Sequence, residues 1–103
     1  MLETSIPVFN SFNDDGHGWL QVPLVLILRL GIEDQISKYS YLSLDGQFVY
    51  LEEDLDAVIF HNAMSSYEYK NIYQNGRSPI RNYPSYDIEY INKYADVIMN
   101  AWG

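Results

Sequence analysis

Asp14, Asp15 and His17 stand together in the run Asn13-Asp14-Asp15-Gly16-His17-Gly18. Carboxylate oxygens and an imidazole nitrogen so close in sequence are ligands that a divalent cation accepts. The run matches no standard metal-loop spacing, and a further ligand would have to come from elsewhere in the chain. The same residues are ordinary turn formers, because Asn and Asp tolerate left-handed backbone and glycine adopts it freely. A turn is therefore the first expectation. A small metal-dependent enzyme using His17 with Asp14 or Asp15 is the alternative.

A second constellation is acidic. Glu52, Glu53, Asp54 and Asp56 follow directly on the apolar run Phe48-Val49-Tyr50-Leu51. Carboxylates before or in the first turn of a helix are favoured by its dipole, by roughly 0.3–1 kcal/mol each when exposed. Four exceed what one terminus needs, and the surplus points to a basic partner. Arg77 and Arg81, near Tyr73, Tyr83 and Tyr86, combine residue types common at interface hot spots. Two cations are too few to hold nucleic acid, and pairing with the acidic cluster is the simpler expectation. His61, beside Phe60, is expected to be half-buried and hydrogen-bonded, with no triad spacing around it. Gly16-His17-Gly18 lacks the third glycine and the βαβ setting of a dinucleotide fingerprint. No catalytic residue, metal ligand or cofactor is assigned. The partner-binding surface is expected at Glu52, Glu53, Asp54 and Asp56, with Tyr50, Tyr67 and Tyr69 as aromatic anchors.

Composition agrees with this direction. The formal net charge is −8, which argues against direct contact with nucleic acid or an anionic membrane, since both require a basic surface. Cysteine is absent, so disulfides, thiolate metal sites and cysteine nucleophiles are excluded. No targeting segment is visible. The most apolar stretch, residues 22–30, is too short to span a bilayer and contains Arg29. A cytoplasmic protein is the expectation.

The elements that must position these residues fit one α+β domain over residues 1–103. It has a small antiparallel sheet with about three helices packed on one face. Strands are expected near 6–12 and 67–73, with Trp19 to Val22 as a brief extended segment. A hairpin over about 39–51 is expected to turn on Asp45-Gly46 in the type I′ form. Pro23 and Gly31 bracket a helix over 23–30, with Ile32 as the apolar residue of a Schellman cap. A second helix spans about 53–64, with Leu55, Val58, Ile59 and Ala63 on its inner face. A third spans 85–102, capped by Ser85, with a buried stripe Ile88, Ile91, Ala95, Ile98 and Trp102. A neighbouring stripe, Tyr90, Tyr94, Val97 and Ala101, makes a homodimer through this helix the structural alternative.

Several segments carry a family likeness: Gly16-His17-Gly18-Trp19-Leu20, Val22-Pro23, Leu30-Gly31-Ile32, Ile36-Ser37, Tyr39-Ser40-Tyr41, Tyr50-Leu51-Glu52-Glu53-Asp54-Leu55-Asp56 and Ser78-Pro79-Ile80-Arg81-Asn82-Tyr83. Over residues 13–83 the chain resembles a small domain family borne by phages and plasmids. The resemblance implies no activity and brings no catalytic residues. It implies a setting in which small acidic proteins block host defence complexes of the CRISPR or restriction type, some by imitating the charge of DNA.

Overall fold

The computed structural model describes residues 6–64 and 66–102. It is an α+β fold with one five-stranded sheet and three α-helices. The strands are β1 (Val8–Asn13), β2 (Gly18–Pro23), β3 (Tyr41–Leu42), β4 (Phe48–Glu52) and β5 (Glu68–Tyr73). The helices are α1 (Leu24–Leu30), α2 (Asp56–Ala63) and α3 (Ile88–Trp102), with a 3₁₀ turn at Pro79–Asn82. No described helix is long and apolar enough to cross a membrane.

The sheet is larger than the sequence suggests, and it is mixed. Its order is β3-β4-β2-β1-β5. The segment around Trp19 is a full central strand, antiparallel to both β1 and β4. β5 joins the far edge parallel to β1, pairing Phe9 with Tyr69 and Phe12 with Ile72. Strand direction is invisible to side-chain alternation, which is the same in both senses.

Register assigns each face. Leu42, Val49 and Val22 lie in one row, and Leu51 and Leu20 lie opposite each other in the next. These residues and Phe9 pack on Leu24, Ile27 and Leu28 of α1, Phe60 of α2, and Ile91 and Ile98 of α3. Burying this face is the main source of stability, at about 25 cal/mol per Å² of apolar surface. The opposite face carries Phe12, Trp19, Tyr41 and Tyr50 and is capped by Ile80 of the 3₁₀ turn and by Tyr83, which follows it.

α1 ends as its sequence implies. Gly31 is left-handed (φ 69°) and donates to the Leu28 carbonyl at 3.1 Å, while buried Ile32 donates to the Ile27 carbonyl at 3.3 Å. Pro23 closes β2 and stands just before the helix, which begins at Leu24. The hairpin turn differs from the type I′ expectation. Only Gly46 has positive φ (74°), so Asp45 keeps an ordinary conformation, and its Oδ1 accepts from Ser43 Oγ and the Gln47 N–H. β3 is only two residues long, and its outer edge bonds to the segment before α3: the Leu42 N–H donates to the Pro84 carbonyl, and the Tyr86 N–H to the Ser40 carbonyl.

Two helix expectations are corrected. α2 begins at Asp56, three residues later than proposed, and its inner residues are Asp56 and Phe60, assisted by Ala57 and Ile59. Leu55 and Val58 are about half exposed and Ala63 is exposed. The helix is apolar on several sides, so periodicity alone did not select the face. α3 is capped by Asp87, whose Oδ1 accepts the Glu89 N–H at 3.0 Å. Ser85 instead forms a bridge to Tyr41. Of the expected α3 stripe, Ile91 and Ile98 are buried and Ile88 and Ala95 half-buried; the side chain of Trp102 lies outside the described residues.

Candidate functional site

The turn between β1 and β2 is built around Asp14, whose side chain is fully buried. Its Oδ1 accepts the Gly16 N–H at 3.0 Å and the His17 N–H at 2.9 Å, closing the turn locally. Its Oδ2 accepts the Ser78 N–H at 2.8 Å. Arg81 completes the set with two parallel bonds, Nε to Oδ2 at 2.7 Å and Nη2 to Oδ1 at 2.9 Å. The guanidinium and the backbone donors hold the Asp14 carboxyl well below the usual carboxylate range. Asp15 accepts the Tyr73 hydroxyl, which pushes that phenol up. Asp14 therefore has no lone pair to offer a metal with His17. Asp15 is turned toward β5.

Arg81 also lies over Trp19, with its Cζ 5.3 Å from the ring centroid. Trp19 is 6.2 Å from the His17 ring and 6.3 Å from the Tyr41 ring. Beside this cluster, a cleft of about 380 Å³ is lined by His17, Trp19, Tyr39, Tyr41, Glu52, Asp54, Leu55 and Arg81. Small-ligand pockets run from roughly 300 to 1,000 Å³. The walls come from four segments. Glu52 lies opposite Trp19 in the β2–β4 register, and Tyr41 lies opposite Tyr50. Tyr39 lies in the turn before β3 rather than in a strand arm running from residue 39, and it lines the cleft beside Tyr41.

The acidic cluster divides. Glu52 is half-buried on the cleft wall, and its Oε1 accepts the Asp54 N–H at 2.9 Å. Glu53 and Asp54 are exposed. Asp56 is 1% exposed and cannot meet a partner. Its carboxylate accepts the Ser37 N–H at 3.1 Å, Ser37 Oγ at 2.7 Å and Ser40 Oγ at 2.5 Å. Ser40 Oγ also accepts the Glu52 N–H at 2.9 Å, so Asp56 pins the loop before β3 to the end of β4. The sequence showed four equivalent acids. Burial separates a structural one from one half-buried and two exposed.

The expected aromatic anchors divide as well. Tyr50 is buried, accepts from Gln21 Nε2 at 3.1 Å, and lies 5.5 Å from Tyr83. Tyr67 is half-buried against Phe9 and Phe60, with centroids 5.6 and 5.2 Å away. Tyr69 is 59% exposed and lines a separate groove with Ser11, Asn13, Asn71 and Glu53. His61 is exposed beside Tyr67, not half-buried. Arg81 pairs with Asp14 rather than with the acidic cluster, and Arg77 is exposed. Trp19, Tyr39, Tyr41 and Leu55 are cleft residues that sequence reasoning did not select.

Two glycines are explained by close approach. A Cβ on Gly16 would lie 3.1 Å from Arg81 Nη2. A Cβ on buried Gly18 would lie 2.5 Å from Asn13 Oδ1 and 2.7 Å from Glu53 Oε2. The Glu53 carboxylate thus folds over a residue without a side chain. One ligand atom each from His17, Glu52 and Glu53 lies within 4.8 Å of the others. Family models, curated proteins and solved structures gave no match to this chain.

Proposed function

We propose that this protein is a non-catalytic, acidic protein-binding module that receives a basic side chain of its partner in the cleft beside Trp19. The observation that carries this reading is the cleft's lining: carboxylates from Glu52 and Asp54 facing aromatic walls from Trp19, Tyr39 and Tyr41. A lysine or arginine gains from both, through charge pairing and through the ring faces. The rings already attract cations, with Arg81 over Trp19 and Lys38 Nζ 6.0 Å from the Tyr39 centroid. Arg81 does not cancel the acidic rim, because Asp14 balances its charge.

On this reading, with the resemblance to phage- and plasmid-borne domains, the partner is a basic host protein or nucleoprotein complex and the role is inhibition of a host defence system. With Asp56 buried, Glu52, Glu53 and Asp54 make a short acidic run, which suits one inserted side chain better than imitation of a DNA strand. NMR titration with lysine- and arginine-bearing peptides tests the contact. Binding is expected to weaken with salt and to vanish in the Glu52→Lys/Asp54→Lys double variant. It is expected to persist in Glu89→Lys/Asp96→Lys, which changes net charge equally on α3. Equal loss in both variants would reduce the effect to net charge and overturn the cleft reading. The host-defence role is tested by phage plating on cells with active CRISPR or restriction systems; unchanged plating on expression of the protein removes it.

A second reading rests on α3. Tyr90, Tyr94, Val97 and Met99 are exposed, and the Tyr90 and Tyr94 rings lie 4.9 Å apart. Such a row suits a homodimer contact. Light scattering decides it: a strict monomer removes the homodimer.

A further inference from the structure

We propose that His17, Glu52 and Glu53 form a binding site for a divalent first-row transition-metal ion, with Zn²⁺ as the first ion to test. The inference goes beyond the partner reading, needs no partner, and leaves that reading standing if it fails. Three observations carry it.

The first is donor chemistry. One imidazole and two carboxylates suit zinc and its neighbours, whereas Mg²⁺ and Ca²⁺ prefer oxygen alone. Three protein ligands also leave a coordination position open on a four-coordinate ion.

The second is backbone placement. The His17 N–H is held by Asp14 Oδ1 at 2.9 Å, and its carbonyl accepts the Asp14 N–H at 2.9 Å. Glu52 is held in the β2–β4 ladder, and the Glu53 N–H donates to the Gly18 carbonyl at 3.1 Å. With ligand atoms already within 4.8 Å, only side-chain rotation is needed to reach the roughly 3.3 Å between ligands of a tetrahedral ion.

The third is the Gly18 gap. Glu53 Oε2 occupies the space that a side chain at position 18 would fill, and a Glu53 carboxylate oxygen lies within 4.8 Å of a His17 ring nitrogen. Arg81, the cation in the wall of the neighbouring cleft, pairs with Asp14 and not with Glu52 or Glu53.

Calorimetric titration of ZnCl₂ into EDTA-treated protein tests the site. One saturable ion per chain is expected, with MgCl₂ giving no comparable heat. His17→Ala and Glu53→Gln should each weaken binding at least tenfold, while His61→Ala leaves it unchanged. His17 and Glu53 are exposed, so their variants should melt like the parent in EDTA. As a second measurement, Co²⁺ should shift amide resonances of residues 16–18 and 52–54. Absence of saturable binding, parental affinity in His17→Ala, or equal loss in His61→Ala would each overturn the assignment. Resonance shifts centred on His61 would overturn it as well.

Discussion

Asp14 and Arg81 are joined by two parallel hydrogen bonds, and through them the turn between β1 and β2 is locked to the 3₁₀ segment that caps the outer sheet face. The pair stands 67 residues apart in sequence. It fixes the turn that presents His17, and it places Arg81 on Trp19 as one wall of the cleft.

Breaking this pair should loosen the outer face before the core. Asp14→Asn keeps the shape but loses the charge, and Arg81→Met keeps much of the stem. Both are expected to lower the melting temperature by several degrees, with little additivity in the double variant because the two residues act together. Additive losses in the double-mutant cycle would contradict the coupling.

Acid stability should depend on Asp14. Its folded pKa is depressed, so its contribution is fully present above the unfolded value of about 4 and is lost as pH falls below it. At the alkaline end, burial pushes the Tyr86 phenol up, and its hydroxyl donates to the Glu33 carbonyl at 2.6 Å. That contribution is present below the unfolded value of about 10 and is lost as pH rises above it. Urea midpoints measured across pH should fall at both ends. Asp14→Asn should flatten the acid limb and Tyr86→Phe the alkaline one.

Asp56→Ala removes the acceptor for Ser37 and Ser40 and leaves buried donors unpaired. A loss of about 2–4 kcal/mol is expected by chemical denaturation. Glu53→Ala, at an exposed neighbour, should stay within about 0.5 kcal/mol. Comparable losses would mean that burial does not separate the two acids.

Gly18→Ala places a methyl against the Asn13 amide and the Glu53 carboxylate. Both obstacles are side-chain ends, so the expected cost is about 1–2 kcal/mol, within the range for overpacking. The displaced Glu53 should lower Zn²⁺ affinity at least tenfold in calorimetry. Unchanged affinity would mean that Glu53 is not held beside His17 by the missing side chain.

Local order was legible in the chain because local order is a near-neighbour property. Pro23 and Gly31 bracketing α1, Gly46 in a hairpin turn, and the turn at residues 13–18 all follow from backbone preferences of a few adjacent residues. The α+β class followed from the same reading. Tertiary packing decided the rest. It set β5 parallel to β1, turned Asp56 inward and Leu55 outward, and moved Arg81 from the acidic cluster to Asp14. It also gave His17 the company of Glu52 and Glu53 in place of Asp14 and Asp15. For Asp56, Asp14 and the two glutamates the physical reason is the same. A carboxylate's role depends on which donors and how much water surround it, and those neighbours come from segments far apart in the chain.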